Sequence, residues 1–325
     1  MPIEHLRVPM DPANLPKFLE TAQRRNKLIP QLMDGRVFEA ASIDRGILAE
    51  FLAYYHMRNI RPHGRDNLIL GLKTARKLGL PITLHLHHES DADSPALLHA
   101  LRVLGFEELA SKVAIPAGIK MDERFYIRPW VKMASVLRVI TPYDIRDIKD
   151  VVTNRNGLYN LDPHNLELAL NYEKKANALN LQSMREMINI WQRGWVVGAY
   201  LHASRSRSGL VGENPSEMEV YCKRGIIIPI LNTGMASVLP VEKPPRLFIS
   251  RVPQYLLIVG QPYFATDLTN KNTRAILKEE GATIIDLATA RIAQLADYTK
   301  VEPTWKEPYR LLNERMPNRG LVYAA

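Results

Sequence analysis

From residue 61 onward, short β-rich runs alternate with longer stretches whose apolar residues recur at helical spacing. Continuous or alternating apolar runs read as strands, and apolar residues three or four apart read as helix. Strands are therefore expected at residues 82–87, 135–140, 195–201, 225–231 and 255–259, and helices at 66–78, 95–104, 166–192 and 287–298. A sheet interleaved with helices in this way buries its faces beneath them, so the expected fold class is α/β, a mixed sheet covered by helices.

The chain before residue 61 has another character. Leu15, Phe18, Leu19, Ala22, Leu28 and Leu32 lie at roughly helical spacing after a start signal at Asp11-Pro12, and Ile47, Leu48, Phe51, Leu52 and Tyr55 repeat the pattern. Two amphipathic helices form a small bundle or hairpin, so a small N-terminal helical domain is expected over residues 1–60 and an α/β domain over 61–325, with the change at Arg61-Pro62-His63-Gly64. The Pro-rich stretch 240–245 reads as a surface turn between strands.

Charge and cysteine usage narrow the partners. The net charge is +9, which suits an acidic partner such as nucleic acid, anionic lipid headgroups or an acidic carrier protein. Clustered Lys/Arg with interleaved aromatics is missing, and with it the expectation of nucleic acid. A single cysteine, Cys222, permits no internal disulfide and, with no motif around it, reads as packing. The charged N-terminus carries no apolar core of a secretory signal, and the longest apolar runs fall far below the ~20 residues of a membrane span. Any membrane contact is expected to be peripheral.

The densest chemical signal is Thr83-Leu84-His85-Leu86-His87-His88-Glu89-Ser90-Asp91-Ala92-Asp93-Ser94-Pro95, a strand running into a polar turn with a helix starting at Ser94-Pro95. Three readings compete. In the first, His88 and Asp93 form a base–carboxylate pair: a neutral imidazole takes a proton from an alcohol, and the carboxylate fixes its tautomer and supports the imidazolium. In the second, His85, His87 and Asp91 or Asp93 bind a metal and the chain is a metal-dependent hydrolase, although Glu89-Ser90 stands where the metallo-hydrolase pattern has Asp-His. In the third, His85 and His87 share one face of a strand as buried, hydrogen-bonded side chains. A non-catalytic binder of acidic ligands is a further class.

His88-Glu89-Ser90-Asp91-Ala92-Asp93 resembles the His-x4-Asp box of the glycerolipid acyltransferases, and most of all the soluble, plastid-type glycerol-3-phosphate acyltransferases, in which a Pro follows the box as Pro95 does here. Further blocks follow in that family's order. Ala117-Gly118-Ile119-Lys120, then an acidic and aromatic stretch to Pro129, resembles the second. Lys174-Lys175-Ala176-Asn177 and the helix through Ser183-Met184-Arg185-Glu186-Met187 resemble the approach to the third, Ala203-Ser204-Arg205-Ser206-Arg207-Ser208-Gly209. The apolar run 225–231 with its Pro229 resembles the fourth. The likeness covers about residues 80–235.

The resemblance implies a glycerol-3-phosphate 1-O-acyltransferase of phospholipid biosynthesis without a cofactor, with lysophosphatidate as another possible acceptor. His88 is then the general base and Asp93 its partner, with no acyl-enzyme. Arg205, Arg207, Lys120 and Lys174 hold the acceptor phosphate, for which paired guanidinium hydrogen bonds are suited. Acyl carrier protein or coenzyme A thioester is the donor, in a cytoplasmic or plastid-stroma-like compartment with peripheral contact to anionic membrane. Two departures stand out. His202 occupies the place where many lipid acyltransferases carry Glu, and Thr141-Pro142-Tyr143-Asp144 lacks the plastid type's Lys-His pair, so that Lys120, Arg124 or Lys174 would have to substitute.

Overall fold

The structure, a computed structural model, describes residues 9–41, 60–90, 93–123, 134–154, 157–202, 211–212, 214–237 and 255–321. The second N-terminal helix expected around residues 43–57, the turn at 240–245, Asp91, Arg124, Arg205 and Arg207 lie outside these residues.

The described fold is α/β: a mixed nine-stranded sheet with helices on both faces, preceded by an N-terminal helix. The strands are β1 (Phe38–Glu39), β2 (Ile60–His63), β3 (Ile82–Leu86), β4 (Val113–Gly118), β5 (Ser135–Val139), β6 (Val196–Tyr200), β7 (Ile226–Thr233), β8 (Tyr255–Val259) and β9 (Tyr263–Phe264). Their order across the sheet is β1-β5-β4-β6-β3-β7-β8-β2, with β9 pairing β7. The middle strands run parallel: β3 lies between β6, with Leu86 opposite Tyr200, and β7, with Leu86 opposite Ile230. Every residue of β3, β6 and β7 is buried, as expected for parallel strands covered on both faces, and this is why their sequences are continuous apolar runs.

The expected strands are present with ends shifted by one or two residues. Pro229 lies inside β7, a position that normally excludes proline from a sheet interior. It is tolerated because it falls between two separate pairings: β9 pairs Ile226 and Ile227, β8 pairs from Ile230 onward, and the intervening Pro229 carbonyl accepts from Gly260 N–H at 2.8 Å. A side chain at Gly260 would meet the proline ring at 2.9 Å.

Each face of the sheet has its own core. One is covered by α2 (Arg65–Leu78), α3 (Asp93–Val103) and α4 (Glu107–Ser111), and includes Leu84, Leu86 and Tyr200. The other is covered by α1 (Leu15–Met33), α6 (Pro142–Thr153), α7 (Pro163–Gln192), α10 (Ile284–Gln294) and α11 (Pro303–Arg315). A short α5 (Lys120–Glu123) follows β4, and α8 (Ala265–Thr269) and α9 (Lys271–Glu279) follow β9.

The helix starts follow local chemistry. Asp162 and Thr141 accept from the third backbone N–H beyond them, at Asn165 and Asp144, and Pro occupies the next position of both helices. Thr283 and Asp286 form a reciprocal capping box at α10. The start signal at Asp11-Pro12 makes a short 3-10 turn whose Asp11 side chain accepts from Ala13 N–H at 2.9 Å, and α1 continues from it. The buried stripe of α1 is Phe18, Ala22, Arg25, Ile29 and Leu32. It packs on α7, within the same core as that face of the sheet. Arg25 belongs to the stripe because its charge is answered there: Nη1 lies 3.1 Å from Asp144, Nε 3.3 Å from Glu123, and Nη1 donates to the Tyr172 hydroxyl at 2.8 Å. No helix among the described residues is long and apolar enough to cross a membrane.

Candidate active site

β3 ends at Leu86, and the chain turns through His87 to Ser90 before α3 begins at Asp93. The helix thus starts ahead of the expected Ser94-Pro95. This places Asp93 in its first turn, where the helix dipole favours a carboxylate, and Asp93 is completely buried. Its Oδ2 accepts from Glu89 N–H at 2.7 Å and Ser90 N–H at 2.8 Å and lies 3.0 Å from His88 Nδ1. Backbone N–H donors stabilise the ionised carboxylate. An anionic Asp93 makes Nδ1 the protonated ring nitrogen and leaves Nε2 as the basic one. The four-residue spacing serves this closure, since the turn amides and the imidazole converge on one oxygen.

His88 is partly exposed, and the Tyr200 ring is stacked on it, with centroids 4.2 Å apart and planes 25° apart. The Tyr200 hydroxyl lies 3.0 Å from Ser94 Oγ. Behind the pair, Glu89 is buried and accepts from Gly234 N–H at 3.3 Å. Burial, and then the neighbouring Asp93 charge, raise its carboxyl above the ordinary range. The Tyr255 hydroxyl is held well above its ordinary range by burial and by Asp93.

His88, Ser94 and Tyr200 open onto a cleft of ≈ 290 Å³ at the C-terminal ends of β4, β5 and β6, between α5, α7 and the 3-10 segment Ser216–Cys222. Its size is near the lower end of the roughly 300–1,000 Å³ of small-molecule sites. The wall is mostly apolar and includes Ile115, Leu137, Val139, Ile145, Met187 and Met218. Key polar groups in the wall are engaged within the fold. Asn180 accepts from Ile140 N–H at 2.8 Å and donates to Ile140 O at 3.1 Å. The single Ser183 O–H lies within hydrogen-bonding reach of two carbonyls, those of Arg138 and Leu179, and Thr141 Oγ1 donates to Asp144 at 2.7 Å. The cleft therefore offers a largely hydrocarbon surface, with His88, backed by Asp93, in its wall. A larger cavity of ≈ 1040 Å³ lies at the opposite end of the sheet. It has no comparable pair: its Lys112 and Glu108 bridge each other at 2.7 Å.

The other residues singled out by sequence divide. Lys120 lines the cleft. Lys174 is exposed on α7 and is not part of the cleft wall, although Asn177 one turn later is. His85 and His87 are completely buried. His85 Nε2–H donates to Tyr221 O at 3.0 Å, so that nitrogen is committed to a carbonyl and not available to a metal. His87 meets His202 edge-on, with centroids 5.6 Å apart. No three His, Cys, Asp or Glu side chains converge in metal-binding geometry among the described residues. Cys222 is buried 3.8 Å from His85 Nε2, and burial pushes its thiol up, away from the reactive thiolate. Tyr200 went unread in the sequence, and Ser94 was read only as a helix start. The available signal was Tyr200 itself, an aromatic residue closing a strand that lies beside the His-rich turn.

The buried His85 has a measurable consequence. Burial lowers its pKa from 6.5 to about 4. Because the folded value lies below the unfolded one, His85 favours folding fully above pH 6.5, and this is lost as pH falls toward 4. The loss over that window amounts to roughly 3 kcal/mol. Urea unfolding at pH 7 and at pH 4.5 should show a smaller difference for His85→Gln than for the natural chain; equal differences would remove His85 from the acid sensitivity.

No protein-family model matches the chain, and no curated protein matches it.

Proposed function

We propose that the protein is an O-acyltransferase that moves a fatty acyl group from acyl carrier protein or a coenzyme A thioester to the hydroxyl of a phosphorylated acceptor. Glycerol 3-phosphate is the acceptor that the family resemblance favours, and lysophosphatidate is the alternative. The observation that carries this reading is the His88–Asp93 pair beside a largely apolar cleft in whose wall Asn180, Ser183 and Thr141 are engaged within the fold. A polar substrate would leave that wall unused, whereas an acyl chain buries against it.

In this mechanism the acceptor hydroxyl lies against His88 Nε2. The imidazole takes its proton as the oxygen attacks the thioester carbonyl carbon, and Asp93 supports the imidazolium that forms. The tetrahedral intermediate collapses with loss of the C–S bond, and His88 returns the proton to the leaving thiolate. The product ester and the free thiol account for every atom without an acyl-enzyme. Lys120 lines the cleft and would help bind the acceptor phosphate. Arg205 and Arg207 follow β6 in the chain, and their role rests on sequence alone.

That role has a direct test. Charge-assisted hydrogen bonds contribute about 1.5–3 kcal/mol each. Arg205→Ala or Arg207→Ala should therefore weaken a phosphorylated acceptor by roughly one to two orders of magnitude in KM or Kd. Lysine should restore part of the loss. Acceptor kinetics across a panel of phosphorylated and unphosphorylated alcohols check this. Intact acceptor use with weakened thioester binding would instead assign the arginines to the donor, and equal use of an unphosphorylated alcohol would remove them from substrate recognition.

A further inference from the structure

The Tyr200 ring lies over His88 at 4.2 Å and nearly parallel to it, which is stacking geometry and not an edge contact. Tyr200 is buried as the last residue of β6, in register with Leu86 at the end of β3, so two paired strands fix where the phenol ring sits relative to the turn. Its hydroxyl lies 3.0 Å from Ser94 Oγ on α3, the helix that also carries Asp93. His88 is thus held from two directions: Asp93 fixes one ring nitrogen in the plane, and Tyr200 covers one ring face.

We propose that Tyr200 is a positioning residue for the reaction: its ring keeps the His88 imidazole in the plane set by Asp93 and lends its π face to the imidazolium, while Ser94 anchors the tyrosine hydroxyl. The inference rests on reading His88 as the general base. The face of an aromatic ring attracts a cation and has little hold on a neutral imidazole, so Tyr200 favours the protonated form, which appears as oxygen attacks. Among the described residues, the other ionisable groups near His88 include its chain neighbour His87, Asp93 and Glu89 behind it, Tyr255 beyond them, and Lys120, Glu217 and Tyr221 elsewhere in the cleft wall. The ring stacked on His88 is that of Tyr200.

The test compares Tyr200→Phe, which keeps the ring, with Tyr200→Leu, which removes it, by NMR titration of the histidine ring protons in the full chain without substrate. In the natural protein the His88 ring protons should resonate upfield of those of the exposed His164 because of the tyrosine ring current. Tyr200→Leu should abolish that displacement and lower the His88 pKa by roughly half a unit to one unit. Tyr200→Phe should keep both. With acyl thioester and acceptor, Tyr200→Leu should shift the acid limb of the kcat/KM profile down by the same amount and lower kcat roughly threefold to tenfold, with Phe restoring most of it.

Absence of the upfield displacement in the natural protein would overturn the proposal without reference to any variant. So would an unchanged His88 pKa in a Tyr200→Leu protein whose circular dichroism matches the parent. A Phe variant impaired as much as Leu would place the effect on the hydroxyl instead of the ring. Because the titration is read on unreacted protein, failure of acyl transfer with every acceptor would refute the proposed activity separately, while the ring-proton results decide the stacking.

Discussion

His88→Ala is expected to fold like the parent and to lose roughly 10²–10⁴-fold in turnover, the contribution of a positioned general base. The fold is kept because the His88 side chain is partly exposed at the cleft and belongs to neither core. The Asp93 carboxylate left behind still accepts from the Glu89 and Ser90 amides, so no bare charge is stranded in the interior. His85→Ala should affect turnover far less, since His85 is completely buried and bonded to Tyr221 O. Steady-state kinetics on both variants, with circular dichroism to check folding, decide the matter. Near-parental turnover by His88→Ala would end the proposed mechanism, and equal losses from His85, His87 and Asp91 substitutions would favour a metal site.

Asp93→Asn should be nearly as severe, on the order of 10³–10⁴-fold in kcat, with KM for the acceptor largely unchanged. The amide oxygen can take the place of Oδ2 and keep the two turn N–H bonds and the His88 contact. What disappears is the negative charge. An imidazolium 3.0 Å from a buried carboxylate gains strongly in a low-dielectric setting, and one beside a neutral amide does not. The loss therefore falls on the step in which His88 carries the proton. A KM effect with kcat intact would mean that Asp93 shapes the acceptor site without supporting the base.

The His88–Asp93 pair was legible in the sequence because it is local. Both members lie in one turn between a buried strand and a helix, so spacing and residue type suffice to bring them together. The surroundings of the pair are not local. Tyr200 reaches His88 through strand pairing between β6 and β3, far apart in the chain. The cleft wall is assembled from β4, β5, α7 and the 3-10 segment, whose apolar residues read individually as core.

Fold class was legible for a similar reason. Buried parallel strands announce themselves as apolar runs, and the four expected helices lie close to those observed. β4 escaped notice because Pro116 and Gly118 interrupt its pattern, and β2 because Pro62 makes it look like a turn. Both are accommodated: β2 at the end of the strand order among the described residues, where it pairs with β8, and β4 with Pro116 opposite Leu137. Thr141-Pro142, compared with a family motif for a missing Lys-His pair, is in physical terms a helix start, with Thr141 Oγ1 accepting from Asp144 N–H.

Thiol release from a fatty acyl thioester, followed with and without glycerol 3-phosphate and with ester and free acid both quantified, tests the central claim most directly. The account predicts release that depends on the acceptor, one ester formed for each thiol, and loss of both in His88→Ala. Release independent of any phosphorylated alcohol, with free fatty acid as the product, would contradict it.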